Sequence, residues 1–315
     1  MRQLSREQFG RARHFLSTEA RPLEWALFEY RFEGADRERV AAELASYQNA
    51  DGGFGCSLEP DVRTPSSSAL ATGIALARLA EVQSSPHHPM VVDAVGYLGR
   101  TFIEETQVWR VIPSDANDYP HAPWWHDEDG SLARTFDDFL IIPRAQLVGL
   151  LHTYSALVPP AWLDALTEAT VTAVETLHED ALAGGGDGLR YALDLAETDS
   201  LPSPFRGRLL ARLSDLAPRV VCTDPDEWDG YCATPLKLAP SRESILTDLL
   251  WDDLQRYLDY VIAQQSPEGA WEPTWTWGGL YPDTWTEARR EWRGYLTLET
   301  LTSLRSFGRL KTPHP

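Results

Sequence analysis

The spacing of apolar residues predicts α-helices along almost the whole chain. The segment "SREQFGRARHFLST" starts with a capping box, Ser5 to Gln8, and places Phe9, Ala12 and Leu16 on one stripe. No segment shows a convincing strand pattern. The periodicity therefore predicts an all-α protein.

Similar periodicity predicts ten further helices. Residues 67–82 are apolar nearly all round, as a helix buried on two sides would be, and residues 137–157 are expected to bend or begin at Pro143. The predicted helices cover residues 22–32, 35–48, 67–82, 90–105, 137–157, 160–183, 188–200, 205–217, 243–265 and 285–307.

Two long segments interrupt the helices. Residues 107–135 contain three prolines and a glycine that break the pattern, and residues 219–241 also lack periodicity. Their length alone favours functional loops. Because no change of composition marks a linker, we expect a single domain over residues 1–315.

A short motif occurs twice, each time after an amphipathic helix and before a proline-bearing loop. "YQNADGGFG" covers residues 47–55 and "QQSPEGAWE" covers residues 264–272. The alignment pairs Gln48 with Gln265, Asp51 with Glu268, Gly52 with Gly269, and Phe54 with Trp271. Such similarity at helix ends is typical of a helix-pair repeat.

The motif is interpreted as a structural joint. Gly52 and Gly53 supply the positive φ that a helix exit needs, the aromatic residue packs back, and the Gln amide can bond the unpaired termini of the next helix. A calcium loop would need alternating acids, whereas residues 49–51 offer one carboxylate.

The pattern Gln-x3-Gly-[Gly/Ala]-[Phe/Trp] after a helix resembles the QW-type repeat of the terpenoid cyclase and protein prenyltransferase superfamily. The chain is also similar to bacterial prenyltransferase-like proteins of about this length. This resemblance implies a single α/α toroid or barrel of about eleven to twelve helices around a central cavity, with inter-helix loops at its mouth.

The resemblance also implies an enzyme of isoprenoid metabolism that acts on a hydrophobic prenyl or polyprenyl substrate. The acid motifs of that superfamily are incomplete here. Class II cyclases carry Asp-x-Asp-Asp, where "TFDDFL" has only Asp137-Asp138; class I cyclases carry Asp-Asp-x-x-Asp, where "WDDLQRY" has Gln255-Arg256 after Asp252-Asp253. Two alternatives therefore stay open: a glycan-active enzyme on an α/α barrel, and a non-catalytic carrier or interaction protein.

Composition and net charge limit the classes of molecule that the protein is expected to bind. Of 315 residues, 43% are apolar, enough for a large core, and 28 Lys and Arg against 47 Asp and Glu give a net charge of −19. Such a surface repels phosphate backbones and anionic membranes, so no nucleic-acid partner is expected. Nothing in the composition indicates an oligomeric state.

The cysteines and the N-terminal segment bear on location. Cys56, Cys222 and Cys232 are too few and too scattered for a disulfide framework and fit a reducing compartment. The first 16 residues lack the apolar region of a signal peptide, and no apolar run of about 18 residues could span a membrane. A cytoplasmic protein is expected.

The loop "DYPHAPWWHDEDG", residues 118–130, concentrates reactive side chains. His121 and His126 are candidates for acid–base chemistry, because imidazole titrates near neutrality. The adjacent carboxylate of Asp127 is a third candidate. Two histidines beside an acid could also hold zinc, although no cysteine accompanies them. The alternative is that they cap helix ends. Trp124 and Trp125 are candidate substrate-binding residues.

A second acidic segment, "CSLEPDVRTPSS", follows the first joint directly. Glu59 or Asp61, in an apolar place near a cavity mouth, could protonate an alkene or epoxide. A helix cap with a salt bridge is the alternative interpretation.

The loop "TDPDEWDGYCATP", residues 223–235, interleaves four acids with Trp228 and Tyr231, which are candidate substrate-binding residues. Four carboxylates in seven residues could bind a divalent cation such as magnesium. A solvated acidic loop explains the same composition.

The segment "WEPTWTWGGLYPDTW", residues 271–285, has too much Pro and Gly for a helix and suggests an aromatic-lined cavity. The candidates are Trp275, Trp277, Tyr281 and Trp285. Each aromatic face stabilises a desolvated cation by up to about 2 kcal/mol, but it also stacks on sugars or holds a polyprenyl chain. Packing in the core is the alternative.

Two arginines after this segment share a helix face. Arg289 and Arg293 could bind a diphosphate in an otherwise acidic protein. Pairing with Glu287 and Glu291 is the alternative.

Overall fold

The computed structural model describes residues 1–178 and 185–311. Within these ranges the chain forms α-helices, a π-helix over Glu29–Glu33, short 3-10 turns and isolated bridges, with no β-strand, which confirms the all-α prediction. The helices are α1 (Arg6–Thr18), α2 (Pro22–Phe28), α3 (Arg37–Leu44), α4 (Ala69–Glu81), α5 (Pro89–Thr101), α6 (Ser131–Thr135), α7 (Arg144–Thr153), α8 (Pro160–Thr176), α9 (Asp187–Glu197), α10 (Ser203–Val220), α11 (Pro235–Leu238), α12 (Trp251–Ala263) and α13 (Pro282–Ser306).

The chain divides into two compact units. Unit 1 comprises Met1–Glu43, Gly184–Gly186 and Val220–Pro315, and unit 2 comprises Leu44–Ala183 and Asp187–Arg219. The single domain over residues 1–315 and its toroidal arrangement stay predictions.

In unit 1, helices α1, α2 and α13 pack against one another. Helix α1 begins with the predicted capping box: Ser5 Oγ accepts from the Gln8 amide at 3.2 Å, and Gln8 Oε1 accepts from the Ser5 amide at 3.0 Å. Ala12 and Leu16 are fully buried. The apolar stripe of α1 therefore faces the core, as the spacing predicts.

The two chain ends of unit 1 meet beside α12. The Leu4 amide donates to the Arg309 carbonyl at 2.8 Å, and the Lys311 amide donates to the Leu4 carbonyl at 3.1 Å. The buried Arg309 side chain also forms an ion pair with Asp259 at 2.7 Å. Residues from opposite ends of the sequence thus complete this unit.

In unit 2, helix α4 contacts both α5 and α7. Eight of its thirteen residues are buried, which matches the expectation of a helix covered on two sides. Helix α7 begins at Arg144, directly after Pro143, and contacts α8 and α9. Pro143 marks the helix start because a prolyl nitrogen cannot donate to the preceding turn.

Several predicted boundaries differ from the structure. The helix predicted over residues 243–265 begins only at Trp251, because the Ser244 hydroxyl accepts from the Ser241 amide and the Thr247 hydroxyl donates to the Ser241 carbonyl. Such bonds compete with helix formation. Each of the two predicted loops contains one short helix, α6 and α11. Helix α8 ends at Thr176, and residues 179–183 of the predicted helix lie outside the described ranges.

The two motifs form equivalent joints, one in each unit. The Gln48 side-chain amide donates to Gly52 O at 3.1 Å and to Met90 O of α5 at 3.4 Å. The Gln265 amide donates to Gly269 O and to Gln8 O of α1, both at 3.0 Å. The second acceptor of each amide is a first-turn carbonyl, in α5 for Gln48 and in α1 for Gln265. The expected bond to the unpaired termini of the next helix is therefore wrong, because the next helices are α4 and α13 and the groups unpaired at a helix start are N–H donors.

The aromatic residue of each joint is anchored through its backbone. The Phe54 amide donates to Thr72 Oγ1 at 3.0 Å, and the Trp271 amide donates to Thr297 Oγ1 at 3.1 Å. Asp51 accepts from the Gly53 amide at 2.9 Å and from the Ser67 hydroxyl at 2.8 Å. The one carboxylate of the first motif therefore holds its own turn and links it to Ser67, just before α4.

Among the described residues, no helix has the length and apolar content needed to cross a lipid bilayer.

Candidate functional site

Two candidate segments of unit 2 run antiparallel beside each other. The Arg63 amide donates to Pro120 O at 3.1 Å, and the Ala122 amide donates to Asp61 O at 2.9 Å. These bonds flank an isolated bridge between Val62 and His121. The structure thus brings the segment of Asp61, which is buried, alongside the histidine loop.

The two histidines of the loop contact each other. His121 Nε2 lies 3.0 Å from His126 Nδ1, and the ring planes differ by 10°. A 3-10 turn over Pro123–Trp125 reverses the chain between them and allows this contact. His121 is buried and His126 is exposed, so the pair connects the interior of unit 2 to its surface.

The hydrogen-bond partners assign the tautomers of the pair. His121 Nδ1 lies 2.6 Å from the Tyr119 carbonyl oxygen, which can only accept, so Nδ1 carries the hydrogen. In the neutral pair, His121 Nε2 then accepts from His126 Nδ1–H. This leaves a lone pair on His126 Nε2, which can take a proton from a substrate.

His126 lines an open cavity of about 460 Å³. The cavity wall is formed by Pro123, Trp124, His126, Glu128, Asp129, Ser131, Arg134 and Thr135. It combines one half-buried indole, two carboxylates and one guanidinium around the exposed imidazole. Such a set can position a substrate and stabilise positive charge developing next to His126.

Hydrogen bonds hold the turn that follows His126. The Ser131 hydroxyl donates to His126 O at 3.1 Å and accepts from the Glu128 amide at 2.9 Å. Arg134 donates to the backbone carbonyl of Asp129 at 2.6 Å. These bonds support the cavity wall at several points.

Asp127 has a supporting place in this loop. Its carboxylate pairs with Arg110 at 3.0 Å and accepts from the Leu132 amide at 3.3 Å, near the start of α6. Its backbone exchanges two hydrogen bonds with the Asn117 side chain. Because both carboxylate oxygens are used, Asp127 fits the expected alternative of a helix cap better than acid–base chemistry.

The other candidates of this region occupy different environments. Trp125 is buried and stacks on Phe136 with ring centroids 5.1 Å apart. Glu59 is half-buried in the turn that leads to Asp61. Trp124 therefore remains the tryptophan of the loop that lines the cavity.

In unit 1, four aromatic side chains form a row. Tyr231 meets Trp275 edge-on at 5.9 Å, Trp275 meets Trp292 at 5.0 Å, and Trp292 meets Tyr295 at 5.5 Å. Tyr231 is 48% exposed and the other three are half-buried. We call these four residues the aromatic row. The Trp275 indole N–H is buried and has no acceptor among the described residues.

The remaining late aromatics differ in burial. Trp277 is completely buried and packs against Trp285 at 5.6 Å and Tyr281 at 6.5 Å. Tyr281 is exposed, has a φ of 46° and precedes α13 directly. Trp277 thus contributes to the core, the alternative expected for this segment, while Trp285 is half-buried.

The arginines of α13 have acidic neighbours in unit 1. Arg289 pairs with Glu272 at 2.8 Å, and Arg293 pairs with Glu272 at 2.7 Å and more loosely with Glu268 at 3.7 Å. Arg293 also covers the Phe15 ring at 4.7 Å. A diphosphate would have to displace these carboxylates, so the geometry favours a structural role.

The acidic loop of unit 1 surrounds Trp228, which is buried. Its indole N–H donates to Cys222 O at 2.9 Å, and its ring meets Tyr257 edge-on at 5.0 Å. Burial raises the pKa of Tyr257 to about 12.

In residues 1–178 and 185–311, no three His, Cys, Asp or Glu side chains are grouped to hold a metal ion.

The sequence does not indicate a functional role for several residues in and next to the cavity. Tyr119 acts through its carbonyl, and Glu128, Asp129 and Arg134 occupy a polar stretch that periodicity leaves without a preference. Gly130 is the sequence feature that could have indicated a turn here, because glycine readily takes a positive φ and this residue has a φ of 75°.

Comparison of the chain with protein-family models, with curated proteins and with solved structures finds no match.

Proposed function

We propose that the protein is an enzyme of isoprenoid metabolism, cyclase- or prenyltransferase-like, in which the His121–His126 pair transfers protons at the cavity. The main support for this proposal is the position of the Tyr119 carbonyl oxygen, 2.6 Å from His121 Nδ1. It orients His121 to accept from His126 Nδ1 and leaves His126 Nε2 as the base.

The pair distributes charge when it takes a proton. A proton bound at His126 Nε2 makes His126 an imidazolium, and its Nδ1–H then donates a charge-assisted hydrogen bond to His121 Nε2. Trp124 and the carboxylates of Glu128 and Asp129 supply the negative faces that a carbocationic intermediate would need nearby.

The substrate class is supported by the two equivalent joints and by the aromatic row. The joints resemble those of the terpenoid cyclase and prenyltransferase superfamily, which is an argument by analogy of fold. The aromatic row presents an apolar surface, which suits a hydrophobic chain.

The test is product analysis with farnesyl diphosphate, geranylgeranyl diphosphate and squalene, each with and without magnesium. We expect the His126→Gln variant to lose about 100-fold or more in turnover, because general acid–base catalysis supplies about that factor. The control is His87→Gln, an exposed histidine of the same unit, which should turn over normally. Equal turnover in both variants would refute the role of the pair.

One observation favours a second function, that of a glycan-active enzyme. Glu128 and Asp129 are two carboxylates in an open cavity that also contains Trp124, and sugar rings stack on indoles while paired carboxylates cleave glycosidic bonds. Release of reducing sugar from a polysaccharide panel, abolished by Glu128→Gln, would support this function. Ligand binding with no product from either substrate class would favour the carrier.

A further inference from the structure

Cys222 and Cys232 of unit 1 lie at the two ends of one short loop, and a backbone hydrogen bond joins these ends. The Cys222 amide donates to Ala233 O at 2.9 Å, and the Thr234 amide donates to Cys232 O, also at 2.9 Å. The backbone at Cys222 therefore runs next to the residue that follows Cys232.

The sulfur atoms contact the same acidic residue. Cys222 Sγ lies 3.5 Å from a carboxylate oxygen of Glu227, and Cys232 Sγ lies 3.7 Å from the Glu227 carbonyl oxygen. Burial, and then a hydrogen bond with the Cys232 thiol, raises the pKa of Cys222 to about 12. Both sulfur atoms therefore lie against Glu227.

We propose that Cys222 and Cys232 form an oxidisable dithiol site, which a two-electron oxidant of the peroxide class converts into an intramolecular disulfide. All three cysteines of the chain are free in the structure. Cys232 is half-buried and reacts first, whereas Cys222 is buried and resolves the intermediate.

The reaction balances with hydrogen peroxide as the oxidant. The Cys232 thiolate attacks one peroxide oxygen, the O–O bond breaks, and the released hydroxide takes the proton of the former thiol to form water. Cys222 sulfur then attacks the Cys232 sulfenic acid, the S–O bond breaks, and hydroxide leaves with the Cys222 proton as a second water. Two thiols and one peroxide become one disulfide and two waters.

The loop closed by this bond contains two aromatic side chains with defined roles in unit 1. Trp228 donates its indole N–H to Cys222 O, and Tyr231 starts the aromatic row. Linking the loop ends restricts the unfolded chain, so the oxidised protein should melt at a higher temperature. The disulfide also lies beside Trp228, where it can quench the indole fluorescence.

The experiment exposes the full-length protein to hydrogen peroxide, unfolds it without reductant, and alkylates it with iodoacetamide. We expect one alkyl group, at Cys56, and a peptide pair joined through Cys222 and Cys232. The reduced protein should take three. Three groups after peroxide, a bond involving Cys56, or sulfinic acid at Cys232 with Cys222 still alkylated would each overturn the proposal.

Single substitutions provide matched controls. Cys56→Ser should still form the disulfide and lose tryptophan emission on oxidation, with recovery in dithiothreitol. Cys232→Ser should retain alkylation at Cys56 and Cys222 and show no such reversible loss. A reversible loss of equal size in Cys232→Ser would also contradict the assignment.

Discussion

The side chain of Gln265 repeats both hydrogen bonds made by the side chain of Gln48, although the two residues belong to different units. Each amide donates to the carbonyl of the glycine four residues later and to a first-turn carbonyl of a nearby helix. The second acceptor lies in α5 for Gln48 and in α1 for Gln265. Helix α1 therefore plays in unit 1 the part that α5 plays in unit 2.

The glycines of the joints should tolerate no side chain. Gly52 has a φ of 84°, and a Cβ there would lie 2.6 Å from Asp93 O; Gly269 has a φ of 98°, and its Cβ would lie 2.4 Å from the Arg11 backbone. We expect Gly52→Ala and Gly269→Ala each to cost at least about 1–3 kcal/mol of unfolding free energy.

Urea denaturation measures this cost, and Gly10→Ala is the matched control. Gly10 lies in α1, where an added Cβ meets no atom within 4 Å, so alanine should stabilise by about 0.5–1 kcal/mol. If Gly52→Ala unfolded at the same urea concentration as the unaltered protein, the joint would not be a structural constraint.

The threonines that anchor the joints should matter through their hydroxyl oxygens. In Thr72→Val and Thr297→Val, the Phe54 and Trp271 amides lose their buried acceptors, which should cost about 1–3 kcal/mol each by urea denaturation. Thr170→Val is the control. Its equally buried hydroxyl only donates to a helix carbonyl, so its loss should cost less than about 1 kcal/mol.

Stability should fall in mild acid because of His152. Burial lowers the pKa of His152, whose Nε2 lies 2.8 Å from the Thr167 hydroxyl. Below about pH 6.5 the unfolded chain therefore binds a proton that the folded protein does not take up, so the unfolding free energy decreases as pH falls. Above that pH this contribution is fully present.

Urea midpoints at about pH 7.5 and about pH 5.5 test this effect. The His152→Gln variant should lose less stability between the two than the unaltered protein does, and His87→Gln should behave like the unaltered protein. An identical acid loss in all three proteins would assign the effect to other groups.

The two central tryptophans of the late segment should respond differently to substitution. Trp277 is fully buried, so Trp277→Ala should cost about 3–5 kcal/mol and report on packing alone. Trp275→Phe keeps an aromatic edge next to Trp292 but has a smaller ring face. We expect it to fold with near-normal stability and to bind the proposed prenyl substrate more weakly, measured by fluorescence titration. Unchanged affinity would remove Trp275 from the binding surface.

Local interactions could be predicted from the sequence. Ser5 and Gln8 are three residues apart, so their capping box depends on a single helical turn. Pro143 lies directly before a helix because its ring removes the backbone N–H that a helix interior needs. In the first joint, Gly52 takes the positive φ that the sequence predicts, whereas Gly53 does not. The hydroxyl anchors of the joints, Thr72 and Thr297, were not predictable, since helix packing determines which residue reaches the amide.

The candidate site was predictable as a composition but not as a geometry. His121 and His126 stand out in the loop, yet their mutual hydrogen bond depends on the 3-10 turn between them. The approach of Asp61 to this loop depends on backbone pairing across about 60 residues of chain, which no periodicity encodes. Arg293 likewise pairs with Glu272, on the preceding loop.

The meeting of Leu4 with residues 309–311 has a consequence for synthesis on the ribosome. Helices α1 and α2 are translated before unit 2, whereas α13, against which both pack, is translated after it. All residues of unit 2 have been translated once Arg219 has emerged, so this unit can fold while translation continues. Helix α2 can already pack on α1 during that time, but the part of α1 that contacts α13 stays exposed until α13 has been translated.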